Sequence, residues 1–231
     1  MHKSGFLFID KPKGISSFSV IKYLRKITQI KKIGHAGTLD PFASGLLIVG
    51  IGKEATKLLG KFLKKEKIYL AEIEIGKITE TYDIEGKIIF EKKNLDPISL
   101  KEIKKTLSLF VGEFYQLPPK FSAKKVNGKR AYEFARIGKE IKLSPQKVKI
   151  SYIKILKYKW PILKIETKVS SGCYIRSLAY DIGQKLKCGA YLKNLKRIQI
   201  GKIKLKESVP LKNLNSSNWK KFLINYNFDN I

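Results

Sequence analysis

Apolar and polar residues alternate strictly in one part of the chain and clump in others, and that difference sorts its elements. KIYLAEIEIG (67–76) changes character at every second residue, as a half-buried strand does. GFLFID (5–10) and GLLIVGIG (45–52) are short unbroken apolar runs and read as buried strands. Further strands are expected near 147–159 and 162–170 and over LKRIQIG (195–201), and GKIIFEK (86–92) is a candidate partner for 67–76. Helical spacing places Phe18, Ile21, Leu24 and Ile27 on one face over 17–29, with Ser16 or Ser17 as the cap. Helices are also expected over 54–63, over 100–109 behind the capping box of Ser99 and Glu102, and over 175–187. IGHAGTLDPFASG (33–45) has three glycines and no periodicity, so it reads as a loop. Residues 117–141 begin as a loop and end in a short helix that Gly138 can close. The stretch 117–145 is basic, lacks a core pattern and reads as an arm or insertion. The tail, 207–231, is rich in Asn and Ser, with one short helix near Trp219. Irregular alternation of strands and helices, with several antiparallel pairs, indicates an α+β fold.

Charge changes the picture more than length does. The 231 residues suffice for one large domain or two small ones. Lys and Arg total 48 against 19 Asp and Glu, a formal net charge of +29. Such a surface attracts polyanions by releasing their counterions, which makes nucleic acid the natural partner. A lysine, isoleucine and asparagine bias of this kind also follows from an AT-rich genome, so the sign carries more than the size. Arginine occurs only at Arg25, Arg130, Arg136, Arg176 and Arg197. Where lysine is the default, an arginine is informative for its planar fork. Cys173 and Cys188 make no disulfide framework and fit a reducing compartment. The apolar run near the N-terminus is short and is cut off by Asp10, and no stretch approaches the roughly 20 apolar residues of a membrane span. A cytoplasmic location is expected.

Few residues are equipped for chemistry. His2 is terminal, and His35 lies five residues before Asp40. Cys/His metal spacing, a nucleophile elbow, a P-loop and a dinucleotide fingerprint are all absent from the sequence. Asp40, in GHAGTLDP, precedes a proline and is held away from helical backbone. Its carboxylate either points into a cleft or merely shapes an Asx-turn. His35 could satisfy a loop carbonyl, and Tyr69 could be core packing. Arg176, in GCYIRS, opens a helix with apolar neighbours; a partly buried arginine needs a carboxylate, and Asp40 is a candidate. Lys124, Lys125, Lys129, Arg130 and Arg136 form either a solvated charge run or a phosphate-contacting surface, with Tyr132 and Phe134 as anchors.

Taken together, DKPKGISS (10–17), GHAGTLDPFASGLL (34–47), KIYLAEIEIG (67–76), TETYDIEG (79–86), PPKFSAKKVNGKRAYEFARIG (118–138), SGCYIRSLAYDIG (171–183) and LKRIQIG (195–201) resemble the TruB family of tRNA pseudouridine synthases. The resemblance runs in the family's order from Asp10 to Gly201. It implies a mixed, largely antiparallel central sheet flanked by helices, and isomerisation of uridine 55 in the tRNA T-loop without cofactor or metal. It implies three catalytic residues: Asp40 as the catalytic aspartate, Tyr69 as the active-site tyrosine that stacks on the target base and can act as a base, and Arg176 as the partner of the catalytic carboxylate. His35 would help hold the flipped-out conformation, and Tyr174 and Leu195 would line the uracil pocket. Lys11 and the arm residues Lys124, Lys125, Lys129, Arg130 and Arg136 would contact RNA. The catalytic domain would span 1–206, followed by a tail, 207–231, too short for a full PUA domain, with a weaker grip on tRNA as the consequence. Cys173 stands where the family usually has Thr, and Glu80 where it has Asp. Attack on ribose and a glycal path use the same aspartate and stay open, as do a non-catalytic RNA-folding role and another target RNA. A carboxylate-pair glycosidase would need a second acid, for which only Glu80 and Asp83 lie near. A monomer is expected.

Overall fold

The computed structural model describes residues 4–122, 124–126, 129–136 and 143–225. Two compact units are present: residues 1–69 with 196–231, and residues 70–195.

The first unit holds β1 (Gly5–Lys11), α1 (Ser17–Thr28), β2 (Ile33–Ala36), β3 (Ser44–Ile51) and α2 (Gly52–Leu63), and the start of β4 (Lys67–Ile75). The apolar runs form β1 and β3, which pair antiparallel from Gly5↔Ile51 to Lys11↔Gly45. Both faces of this pair are buried, which is why the runs are unbroken rather than alternating. On one face Leu7, Ile9, Leu47, Val49 and Ile51 meet Val20, Ile21 and Leu24 of α1. On the other, Phe6, Phe8, Leu46 and Ile48 meet Ala55, Leu59 and Phe62 of α2. Ser16 caps α1, its hydroxyl accepting from the Ser19 N–H at 3.0 Å. Residues 33–36, expected as loop, pair with β3 instead; four residues with a glycine and an alanine are too few to show a period.

The second unit continues β4 and adds β5 (Lys77–Thr79), β6 (Ile88–Glu91), α3 (Leu100–Ser108), β7 (Gly112–Gln116), β8 (Lys125–Val126), β9 (Lys129–Arg130), α4 (Ala131–Arg136), β10 (Gln146–Lys159), β11 (Ile162–Val169) and α5 (Ile175–Lys185). In sheet order β4, β11, β10 and β7 are neighbours. Along β4 burial alternates at every residue, as its sequence does. Ser99 caps α3 by accepting from the Glu102 N–H at 3.2 Å. The segment 86–92 does not pair with β4; β6 pairs with β5 in a separate two-stranded sheet. Gly138 lies outside the described residues.

The last strand, expected over 195–201, is longer: β12 runs Ala190–Ile200 and is followed by β13 (Ile203–Lys204) and β14 (Val209–Pro210). Its first half, AYLKN, has no alternation to read. In the first unit β12 pairs parallel with β3, and β14 pairs parallel with β1. The pairs β7–β10, β10–β11 and β12–β13 are antiparallel, so the sheet is mixed within an α+β fold. The Asn- and Ser-rich tail is part of the first unit's core: Leu211, Leu214 and Trp219 join the α1 cluster. A 3-10 turn over Trp219–Phe222 buries the indole to 4% exposure. Trp219→Ala should therefore cost about 3–5 kcal/mol, read as a shift in the urea midpoint.

Candidate active site

The candidate residues divide between the units. Lys11, His35, Asp40 and Tyr69 belong to the first, and Tyr174, Arg176, Leu195 and the basic segment to the second.

Asp40 is half-buried in the irregular segment between β2 and β3, and its neighbours are fastened on both sides. The Ala43 N–H donates to the Asp40 carbonyl at 3.1 Å, closing a turn with Pro41 at its second position. Before it, Leu39 is buried, and one hydroxyl takes both its backbone groups: Ser17 Oγ accepts from the Leu39 N–H at 2.8 Å and donates to its carbonyl at 3.0 Å. After it, the Pro41 carbonyl accepts from the Gly14 N–H at 2.8 Å and from Lys11 Nζ at 3.4 Å. The segment's ends are bridged by Arg197, only 1% exposed, whose Nε donates to the Leu46 carbonyl at 2.8 Å and Nη2 to the Gly37 carbonyl at 3.0 Å. Gly45 makes the close approach possible: at φ +103°, a Cβ there would stand 2.3 Å from the Arg197 carbonyl oxygen. Lys67 is a second buried cation, donating to the carbonyls of Leu63 at 2.6 Å and Lys65 at 2.7 Å. Burial, and next the charge of Arg197, bring its pKa down to about 8.

Lys11 was expected at an RNA surface. Its exposure is 0%, and its ammonium also donates to the carbonyls of Pro12 at 2.9 Å and Ile15 at 2.6 Å. The structure gives it the work of bracing the Asp40 segment. His35 is half-buried on β2, opposite Val49, and Tyr69 is buried on β4.

In the second unit, Tyr174 caps α5 and is held as Leu39 is. Gln116, fully buried at the end of β7, accepts from the Tyr174 N–H at 2.8 Å and donates to its carbonyl at 3.1 Å. One residue into the helix, Arg176 is 5% exposed. Its Nη1 lies 3.2 Å from Asp83 Oδ2 and donates to the Thr81 carbonyl at 3.1 Å, while Nη2 donates to the Phe121 carbonyl at 2.8 Å. Asp83 Oδ1 accepts from Thr81 Oγ1 at 2.6 Å and from the Glu85 N–H at 3.0 Å, which fixes the carboxylate from the other side. Leu195 is buried on β12. Cys173 is a neutral thiol: burial, ahead of the charge on Asp181, pushes it up to about 12. Lys124 donates to the Ser144 carbonyl at 3.0 Å, whereas the side chains of Lys125, Lys129, Arg130 and Arg136 lie outside the described part of the structure.

Four residues of this framework went unassigned from sequence: Ser17, Gln116, Asp83 and Arg197. Scarcity of arginine marked Arg197, and TETYDIEG contains Asp83, but a partner in space has no local signature. Among the described residues no group of His, Cys, Asp and Glu is placed to hold a metal, and no helix is long and apolar enough to cross a membrane.

Comparison with known proteins decides the family. The N-terminal domain of TruB family pseudouridylate synthases matches residues 25–175, and the tRNA pseudouridylate synthase B C-terminal domain matches residues 176–224. The chain belongs to the TruB family. It is 44% identical to a tRNA pseudouridine synthase B of Endomicrobium trichonymphae over 213 residues, 92% of each chain. The Protochlamydia amoebophila protein of that name is 47% identical over 200 residues, covering 87% of this chain and 75% of that one. Among solved structures, a Cbf5-Nop10-Gar1 complex contains a chain with TM-score 0.73 and 27% identity, covering 98% of this chain. A chain of an H/ACA RNP bound to a substrate RNA containing 2'-deoxyuridine matches with TM-score 0.69 and 25% identity over 94% of this chain. This TruB-family chain spans 55–56% of the length of those two solved chains.

Two outcomes are expected. Asp83→Ala leaves the buried Arg176 guanidinium without that carboxylate and should cost about 3–5 kcal/mol in urea unfolding. Burial raises Asp181 on α5 from 3.8 to about 6, against a smaller lowering by Lys185. A folded-state pKa above the unfolded one gives stability that is present at low pH and lost as pH rises through about 6. The melting temperature of the wild type should therefore rise relative to Asp181→Asn as pH falls from about 7 to about 5.

Proposed function

We propose that this chain isomerises uridine to pseudouridine in the T-loop of tRNA, at position 55, with Asp40 as the catalytic carboxylate. The observation carrying this reading is the match over 92% of a relative named tRNA pseudouridine synthase B, with Asp40 held in a clamped loop inside it. The reaction breaks the bond between ribose C1' and uracil N1 and forms one between C1' and C5. The C5 hydrogen leaves to solvent as a proton and N1 gains one. Atoms and electrons balance without a cofactor, so a carboxylate and a shaped pocket suffice.

The setting of several of these residues supports the part each takes in this reading. Asp40, half-buried on a fixed backbone, attacks the ribose or the ring or assists elimination to a glycal. Tyr69 offers an aromatic face that offsets part of the unstacking cost of a flipped base, about 1–3 kcal/mol. Arg176, already aimed by Asp83 and two carbonyls, supplies positive charge to keep the catalytic carboxylate ionised. Tyr174 and Leu195 line the uracil pocket, His35 holds the flipped-out loop, and the arm grips phosphates through Lys124, Lys125, Lys129, Arg130 and Arg136. The reading carries with it a monomeric, cytoplasmic enzyme.

Tritium release from T-loop RNA carrying 5-tritiated uridine tests it. Wild type should release tritium catalytically, and Asp40→Asn should lose at least about a thousandfold in rate at unchanged melting temperature. RNA binding by the wild type without release would refute the reading for this substrate.

A further inference from the structure

A groove outside the candidate site, in the second unit, has a composition that the proposed reaction does not use. It lies where β10 turns into β11, has a volume of about 340 Å³, and is lined by Glu72, Lys157, Lys159, Trp160, Ile162 and Lys164. That volume falls at the small end of ligand-binding clefts, roughly 300–1,000 Å³.

Its charge is arranged at a cost to the fold. Lys157 and Lys164 stand directly opposite in the β10–β11 register, and like charges so placed destabilise a sheet. Lys159 projects from the same face two residues beyond Lys157. Only Lys164 is neutralised, by Glu72 at 2.7 Å. Among the described residues neither Lys157 nor Lys159 has an ion-pair or hydrogen-bond partner. β7 pairs with β10 only as far as Ile150, so the outer half of β10 is an edge, and lysines commonly guard edges. Edge protection accounts for Lys157 and Lys159. It does not account for Lys164 on the inner strand β11, nor for a half-buried indole set beside all three.

Cationic side chains around an aromatic face, in a cleft of nucleotide size, match the chemistry of unpaired RNA: phosphates to the lysines and a base on the ring. We propose that the Lys157–Lys159–Trp160–Lys164 groove is a second RNA-contacting site, taking an unpaired nucleotide of the substrate RNA. This rests on the substrate class proposed above.

The test measures equilibrium binding of unmodified tRNA to the full chain across a salt series, with tritium release measured in parallel. Lys157→Gln/Lys159→Gln should weaken binding and flatten the slope of log K against log salt by about 1.8, or by about 1.4 where the contacted strand is single. Trp160→Ala should weaken binding about tenfold with the slope kept. Tritium release at saturating RNA should be unchanged in both. The comparison variant is Lys101→Gln/Lys104→Gln, which removes two exposed lysines from α3. If it lowers affinity and slope as much as the groove variant does, the effect is general charge and the site is refuted. Unchanged affinity in the lysine variant refutes it too, whether or not Trp160→Ala folds. Failure of tritium release with tight, groove-dependent tRNA binding would instead overturn the proposed reaction and leave the groove standing.

Discussion

An irregular backbone segment keeps a single shape inside a protein only when its N–H and C=O groups are bonded to something rigid. Two irregular segments, one in each unit, meet this constraint in the same way. One side chain with donor and acceptor on the two ends of an amide, or on a single hydroxyl oxygen, takes both polar groups of one residue. Ser17 does so for Leu39, next to Asp40, and Gln116 does so for Tyr174, two residues before Arg176. The bonded side chain comes from a regular element in each case, the first turn of α1 and the last residue of β7. The backbone beside Asp40 and before Arg176 is thereby fixed. An unbonded buried group would cost about 1–3 kcal/mol, and that penalty is what ties loop shape to these two residues.

The basic residues consequently form two populations. Lys11, Lys67, Arg176 and Arg197 are buried and donate to backbone carbonyls, so they act as braces. Carbonyls satisfy the donors of a cation without cancelling its charge, so burial first, and then the charge of Arg197, hold Lys67 well below its ordinary value. Many of the other described lysines, Lys13, Lys22, Lys101 and Lys104 among them, are exposed, where their charge is available to polyanions.

Sequence patterning showed β1 and β3 because their faces are uniformly buried, and showed β4 because its faces differ so sharply. It showed α1 and α3 through their caps, and placed helices where α2 and α5 stand. It missed β7 and the first half of β12, where GEFYQ and AYLKN carry no usable alternation, and it misplaced β6, whose partner is decided by a turn rather than by pattern. Asp40 and Arg176 were legible as residues. Their supports were not, because Ser17 and Leu39 are 22 residues apart and Gln116 and Tyr174 are 58 apart. Lys11 misled because a lysine in a basic chain is by default a surface residue, and only the carbonyls of Pro12, Ile15 and Pro41 make its burial tolerable.

The outward row of β4 shows how the remaining charge is graded. The alternation that buries Ala71, Ile73 and Ile75 turns Glu72 and Glu74 outward. Glu74 accepts from Lys193 at 2.8 Å and Tyr191 at 2.9 Å, and Glu72 neutralises Lys164. Hydrogen bonds from these partners pull Glu74 below its ordinary value despite its burial. On β11, Glu166 accepts from the Tyr152 hydroxyl at 2.8 Å. Toward the outer end of the hairpin Lys157, opposite Lys164, and Lys159, opposite Ile162, have no carboxylate partner among the described residues and stand beside Trp160. A chain with 48 basic residues and 19 acidic ones cannot pair every cation, so the placement of its acids decides where positive charge stays free. Here the acids protect the middle of the sheet, where repulsion between neighbouring strands would act against folding, and leave its outer end attractive to an anion.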